Sequence, residues 1–158
     1  MCNFATIRAA TRVNAAAAAL LLILAYLASC GGSPDQARLE KEFQDMLTGA
    51  TLVGRFTSSG NDRVHEDRYT VNSVTKLAGG VWTVNARIQY GKNDYTVPVP
   101  VRVVWAGDTP VITMTDVGLP GKGSFTARVL FYRGQYAGTW SSDKGSGGQM
   151  FGRIEKRP

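Results

Sequence analysis

A chain of 158 residues with a net charge of +6 has room for one domain of ~100–200 residues plus an accessory segment, and not for two cores. Its 18 Lys and Arg stand against 12 Asp and Glu, an excess too small and too dispersed for a nucleic-acid footprint, which needs clustered basic residues. One histidine and two cysteines, Cys2 and Cys30, fall short of the converging ligands of a transition-metal centre, and no cofactor is implied.

Residues 15–28 form an unbroken run of 14 apolar side chains. Crossing ~30 Å of hydrocarbon takes ~20 helical residues, so the run is short for a permanent span. Arg8 and Arg12 precede it with no acidic residue, as in the charged flank of an export signal, whose apolar region has ~7–15 residues. The closing residues Leu27-Ala28-Ser29-Cys30 resemble the bacterial lipoprotein box, with a branched apolar residue, two small ones and an obligatory cysteine. That resemblance implies that 1–29 is a signal peptide cut away before Cys30, and that the Cys30 thiol carries acyl chains such as palmitate and anchors the protein to the membrane. One acyl chain binds a bilayer with a constant of only ~10⁴ M⁻¹, whereas two or more hold stably. Gly31 follows where an aspartate would suggest inner-membrane retention in some bacteria. The same resemblance therefore implies a cell-envelope location on the periplasmic face of the outer membrane. The residues by themselves also allow an ordinary signal cut at another position. Loss of 1–29 would remove Arg8, Arg12 and Cys2, leaving an excess of +4 and one cysteine. The mature domain would then have no internal disulfide and would depend on burial, which ~100 residues can supply.

Residues 30–33 form the lipidated cysteine and a short tether. Ser33 as N-cap and Pro34 at the first helical position predict a helix over 34–48, which Gly49 can end. Leu39, Phe43, Met46 and Leu47 fall on one stripe. Glu40, Glu42 and Asp45 disfavour a membrane-lying role beside anionic lipid, so the stripe is expected to pack on the domain.

From Thr51 the apolar period becomes two. Trp82, Val84, Ala86, Ile88 and Tyr90 alternate with polar residues, and the same pattern recurs in Tyr95, Val97, Val99, Val101, Val103 and Trp105. Strands are predicted over 52–56, 69–76, 81–90, 95–105, 111–117, 125–131, 136–140 and 150–154, joined by turn-rich segments. The expected class is mainly β: an eight-stranded antiparallel meander over 51–156, closed as an up-and-down barrel or flattened into a sandwich, behind one short amphipathic helix. Gly54, Gly138 and Gly152 lie mid-strand on the apolar phase, where a bent or close-packed sheet needs them. Pro98 and Pro100 share one phase of their strand, so one of its sides is expected to lack full pairing.

The segment GQYAGTWSSDKGSGGQMFGRI, residues 134–154, sets a G-x-W strand, a glycine-rich turn and a G-x-I strand in succession. It resembles the closing hairpin of lipocalin-like small barrels. The first strand departs from that family, with Gly54-Arg55-Phe56 in place of its glycine-x-tryptophan motif. As a whole the domain is similar to uncharacterised bacterial envelope families, which carry no activity to transfer.

No catalytic residue is identified. His65 stands in GNDRVHEDR with Asp62, Glu66 and Asp67, a composition readable as a base with carboxylate partners or a weak cation site, but more simply as a solvated loop. No G-x-S-x-G elbow is present. Gly145-Ser146-Gly147-Gly148 feeds a strand rather than a helix, which makes it a hairpin loop and not a phosphate cradle. Asp94, Asp108 and Asp116 fall at separate strand ends, with nothing to bring two of them together. Arg55, Arg87, Arg102, Arg128 and Arg153 each occupy the polar phase of a different strand and could form a basic outer band, or an ordinary solvated face.

The expected function is non-enzymatic: a binding module whose interior holds a small apolar ligand or lipid, lined by Trp82, Tyr95, Trp105, Phe125 and Trp140. Eight-stranded barrels either fill with side chains or hold one such ligand, so these aromatics could equally be packed core. The alternative is a structural or interaction protein that binds an envelope partner through its outer surface.

Overall fold

The computed structural model describes residues 35–156. The leader over 1–29, Cys30, the tether over 30–33, Ser33 and Pro34 lie outside the described residues. One helix, α1 (Gln36–Leu47), precedes eight strands: β1 (Ala50–Ser58), β2 (Asn61–Lys76), β3 (Val81–Tyr90), β4 (Asn93–Ala106), β5 (Thr109–Leu119), β6 (Gly123–Tyr132), β7 (Gln135–Ser142) and β8 (Gly147–Lys156). Each strand pairs antiparallel with the next, and β8 returns to β1, so the expected meander is a closed barrel and not a flattened sandwich.

Helix α1 is capped by Asp35, whose carboxylate accepts from the Ala37 N–H at 3.1 Å. An aspartate cap supplies both an acceptor and a charge favourable to the helix dipole. Gly49, at φ 73°, makes the left-handed exit into β1. Leu39, Phe43 and Leu47 are buried, and Phe43 sits edge-on to Trp82, Trp105 and Phe131. The stripe thus seals one end of the barrel. Polar ties reinforce it: Gln44 donates to the Val74 carbonyl at 2.7 Å, and the Lys156 ammonium donates to the Asp45 carbonyl.

The β4–β5 pairing is short. β3 and β4 share ten register pairs, from Val81↔Arg102 to Tyr90↔Asn93, but β4 and β5 share five, from Arg102↔Thr113 to Ala106↔Thr109. Residues 93–101 of β4 have no β5 partner, and Pro98 and Pro100 fall inside this unpaired stretch. Proline has no N–H to give and here none is asked for. The cause lies in β5, where register slips between Met114 and Val117 and Asp116 adopts φ 51°. Such a bulge bends its strand. Asp116 is held to β6 by its N–H donating to Thr126 Oγ1 at 3.0 Å, at the point where the β4–β5 pairing has ended. The barrel is closed at the helix end and split between β4 and β5 toward the other.

Candidate functional site

Inside the barrel lies an apolar cavity of about 250 Å³. Its floor includes Leu47, Leu52 and Val71, all buried, beneath α1. Its opposite end includes Phe56, Tyr90, Tyr95, Phe125, Trp140 and Met150, each only partly buried. The cavity is therefore shut at the helix and accessible at the end carrying the β1–β2, β3–β4, β5–β6 and β7–β8 turns. At this mouth Phe56 stacks on His65 with centroids 5.3 Å apart and meets Tyr90 and Trp140 edge-on.

A carboxylate is buried in the wall together with two phenols. Asp67 is 4% exposed and accepts from the Tyr69 hydroxyl at 2.9 Å and the Tyr136 hydroxyl at 3.1 Å. Burial raises its carboxyl pKa above the ordinary value, against the opposing pull of the two phenols. Tyr69 and Tyr136 are raised in turn, chiefly by burial and then by the Asp67 charge. Tyr136 belongs to β7 and Asp67 to β2, yet the register sets them in one row: Tyr136↔Gly152, Gly152↔Gly54, Gly54↔Asp67. Both intervening residues are glycines, and a Cβ on either would overlap the Tyr136 side chain. The tyrosine lies flat over β8 and β1 because nothing projects there. Burial also lifts Tyr95 at the mouth to about 12, with a hydrogen bond to Tyr90 contributing.

Of the five aromatics expected to line an interior site, Tyr95, Phe125 and Trp140 do so. Trp82 and Trp105 instead pack against Phe43 beneath and beside α1, in the seal of the closed end. His65 is not in a loop: β2 begins at Asn61, and the register places His65 opposite Phe56 and Asp67 opposite Gly54. Period-two alternation continues through this polar stretch, which buries Asp67 rather than leaving it solvated.

The five arginines are exposed, and the register sets Arg102 and Arg128 on one row through Thr113. Arg87 pairs with Asp94 through two nitrogens, and Arg153 pairs with Glu155. Arg102 donates to the Gly79 carbonyl at 3.3 Å. Arg128 clamps the β5 bulge, donating to the Met114 carbonyl and, at 2.9 Å, to Thr115 Oγ1. Arg55 lies opposite Glu66 and Phe151 on the outer wall. Among the described residues, no three His, Cys, Asp or Glu side chains are grouped to hold a metal ion, and no helix is long and apolar enough to cross a membrane.

Asp67 was noted from sequence only as a carboxylate beside His65, and Tyr69, Tyr136 and Phe56 were not singled out as site residues. A long-range signal was present only in the mid-strand glycines, whose meaning depends on register. Comparison with protein-family models, with curated proteins and with solved structures gives no match.

Proposed function

We propose that this chain is a membrane-anchored cell-envelope lipoprotein whose lipocalin-like barrel is a non-enzymatic binding module for a small apolar ligand or lipid. The observation that carries the binding half is the apolar cavity of about 250 Å³, shut by α1 and accessible at the opposite mouth. Eight strands enclose enough room for one small ligand when side chains do not fill it. The buried Asp67 carboxyl is engaged by two phenols that hold it in place, which suits a wall element better than a reacting group. The anchoring half rests on Leu27-Ala28-Ser29-Cys30.

Native mass spectrometry of the full protein extracted from its own envelope tests the binding half. A co-purifying small molecule that is lost in Ala86→Phe, which fills the cavity from a buried wall position, supports the reading; bare protein, or a ligand retained in the filled variant, overturns it. Labelling with a palmitate analogue tests the anchor, since Cys30→Ser should abolish it.

The second reading, an outer surface for an envelope partner, has one observation in its favour. Val104, Val111, Leu130, Ala137 and Phe151 form a continuous cross-strand row, with Val104 51%, Leu130 42% and Phe151 47% exposed. Contiguous exposed apolar side chains of this kind are a feature of interaction surfaces. Leu130→Asp with Phe151→Asp should then abolish co-isolation of a protein partner while leaving cavity binding in place.

A further inference from the structure

Several polar groups around the cavity are already partnered. Tyr69 is bound to Asp67, the Tyr90 and Tyr95 rings meet edge-on with centroids 6.5 Å apart, and Trp140 Nε1 donates to the Thr57 carbonyl at 3.2 Å. The polar groups of Tyr69, Tyr136 and Trp140 are thus taken before a ligand's polar head could use them. At the mouth the situation reverses. Lys122, on the β5–β6 turn, is half-buried; its ammonium lies 4.5 Å from the Tyr95 ring centroid and donates to Asn93 Oδ1 at 3.0 Å. It thus reaches across the split from the β5 side to the start of β4, directly above a side chain that lines the cavity.

What Lys122 lacks is a counter-charge. Arg38, Lys41, Lys76, Arg87 and Arg153 each pair with a carboxylate. Lys122 has no such partner among the described residues. Asp94 is taken by Arg87 and Gln89, and Asp143 keeps its charge while accepting from the Ser124 N–H. Lys92 and Lys144 stand on the two neighbouring turns, also without ion pairs among the described residues, so three ammoniums without a carboxylate partner surround the mouth of an apolar chamber. A half-desolvated ammonium gains most from an anion that can both pair with it and accept its hydrogen bonds. The cavity volume of about 250 Å³ lies just below the ~300–1,000 Å³ of ordinary small-molecule sites, which suits one slim chain and excludes two.

Resting on the reading of the cavity as a binding site, we infer that its ligand is a single-chain anionic amphiphile, with the alkyl chain in the barrel and a carboxylate or phosphate head at Lys122. The unoccupied ammonium stays over Tyr95 and Asn93, and moves to the head when the chain is seated.

Titration of the full protein with dodecanoate, dodecyl phosphate and dodecanol, followed by tryptophan fluorescence, tests this. Both anions should bind at least tenfold more tightly than the neutral alcohol, and their ranking identifies the head. A charge-assisted hydrogen bond at a partly buried site corresponds to about that factor. In Lys122→Ala the ratio of dodecanoate to dodecanol affinity should fall roughly tenfold, while Lys122→Arg keeps it. Lys122→Met, which retains the apolar stem over Tyr95, replaces the alanine variant if that one misfolds. Equal affinity for alcohol and anions, or an unchanged ratio in the variants, overturns the assignment of the head and leaves the cavity reading intact. Failure of all three probes to bind overturns both.

Discussion

Tyr136 and Asp67 stand at the two ends of one cross-strand row, three strands apart, and are joined by a hydrogen bond of 3.1 Å because both residues between them are glycine. The row couples β7 to β2 across the β8–β1 closure of the barrel, so a polar contact is stapled over the seam where the first and last strands meet. A methyl group on Gly54 would overlap the Tyr136 hydroxyl and the Phe151 carbonyl. Gly54→Ala should therefore lower stability by about 1–3 kcal/mol, the usual range for an overpacked interior, read as a shift of the urea midpoint. Adding Tyr136→Phe should recover only part of the loss, because the backbone overlap with Phe151 remains. Full recovery would mean that the hydroxyl alone sets the constraint.

Asp67 makes stability depend on pH in a definite direction. Its folded pKa is raised above the unfolded value of about 3.9, chiefly by burial. The folded state then holds this proton more tightly than the unfolded chain, so stability from this group is complete below the unfolded pKa. It is lost progressively as pH rises from about 4 to the raised folded value. Asp67→Asn cannot ionise and can still bond both phenols, one as acceptor and one as donor. Relative to the parent, the asparagine variant should gain stability with rising pH across this window, measured by urea titration at successive pH values. Parallel pH profiles for the two proteins would rule out the buried carboxyl as the source. Asp67→Ala is a different case: two buried phenols lose their acceptor, at about 1–3 kcal/mol each for unsatisfied groups.

The closed end depends on one side chain. Phe43 touches Trp82 at 5.3 Å, Phe131 at 6.2 Å and Trp105 at 6.3 Å between centroids, each in an edge-on arrangement, and is 1% exposed. Removing a buried phenylalanine costs about 3–5 kcal/mol. In Phe43→Ala the urea midpoint should drop accordingly, and tryptophan emission should shift to the red as Trp82 and Trp105 lose their cover. A large stability loss with unshifted emission would place the damage away from the seal.

Much of this architecture could be read from residue order, and the exceptions share a cause. Strands β3 to β8 show themselves because inward positions are apolar and outward ones polar, as in Trp82 to Tyr90 and Tyr95 to Trp105. The first half of β2 hides because two of its inward residues, His65 and Asp67, are themselves polar, so a strand looks like a loop. Helix α1 was visible in its stripe, although its observed N-cap is Asp35 rather than Ser33. Within the candidate site, phase was legible and height was not. Trp82, Tyr95, Trp105, Phe125 and Trp140 all point inward, but only register assigns Trp82 and Trp105 to the helix end and the other three to the cavity. The Tyr136–Asp67 bond spans 69 residues and depends on three register relations together, which no local pattern carries.

Pro98 and Pro100 were a legible signal with a physical consequence. They occupy the stretch of β4 that β5 leaves unpaired, an edge inside an otherwise closed barrel. Exposed edges with free N–H donors recruit other strands, and proline is one of the devices that prevents it. Pro98→Thr with Pro100→Thr restores two donors without removing any existing β3–β4 bond, since the backbone carbonyls are kept and proline had no N–H to lose. The variant should fold with the parent's circular dichroism spectrum yet self-associate more strongly, seen as a concentration-dependent rise in sedimentation coefficient. If it sediments as the parent does at every concentration, the split is protected by something other than its prolines. If instead the variant is more stable and no more associated, β5 has moved back to pair with β4, and the bulge at Asp116 is not a fixed feature of the barrel.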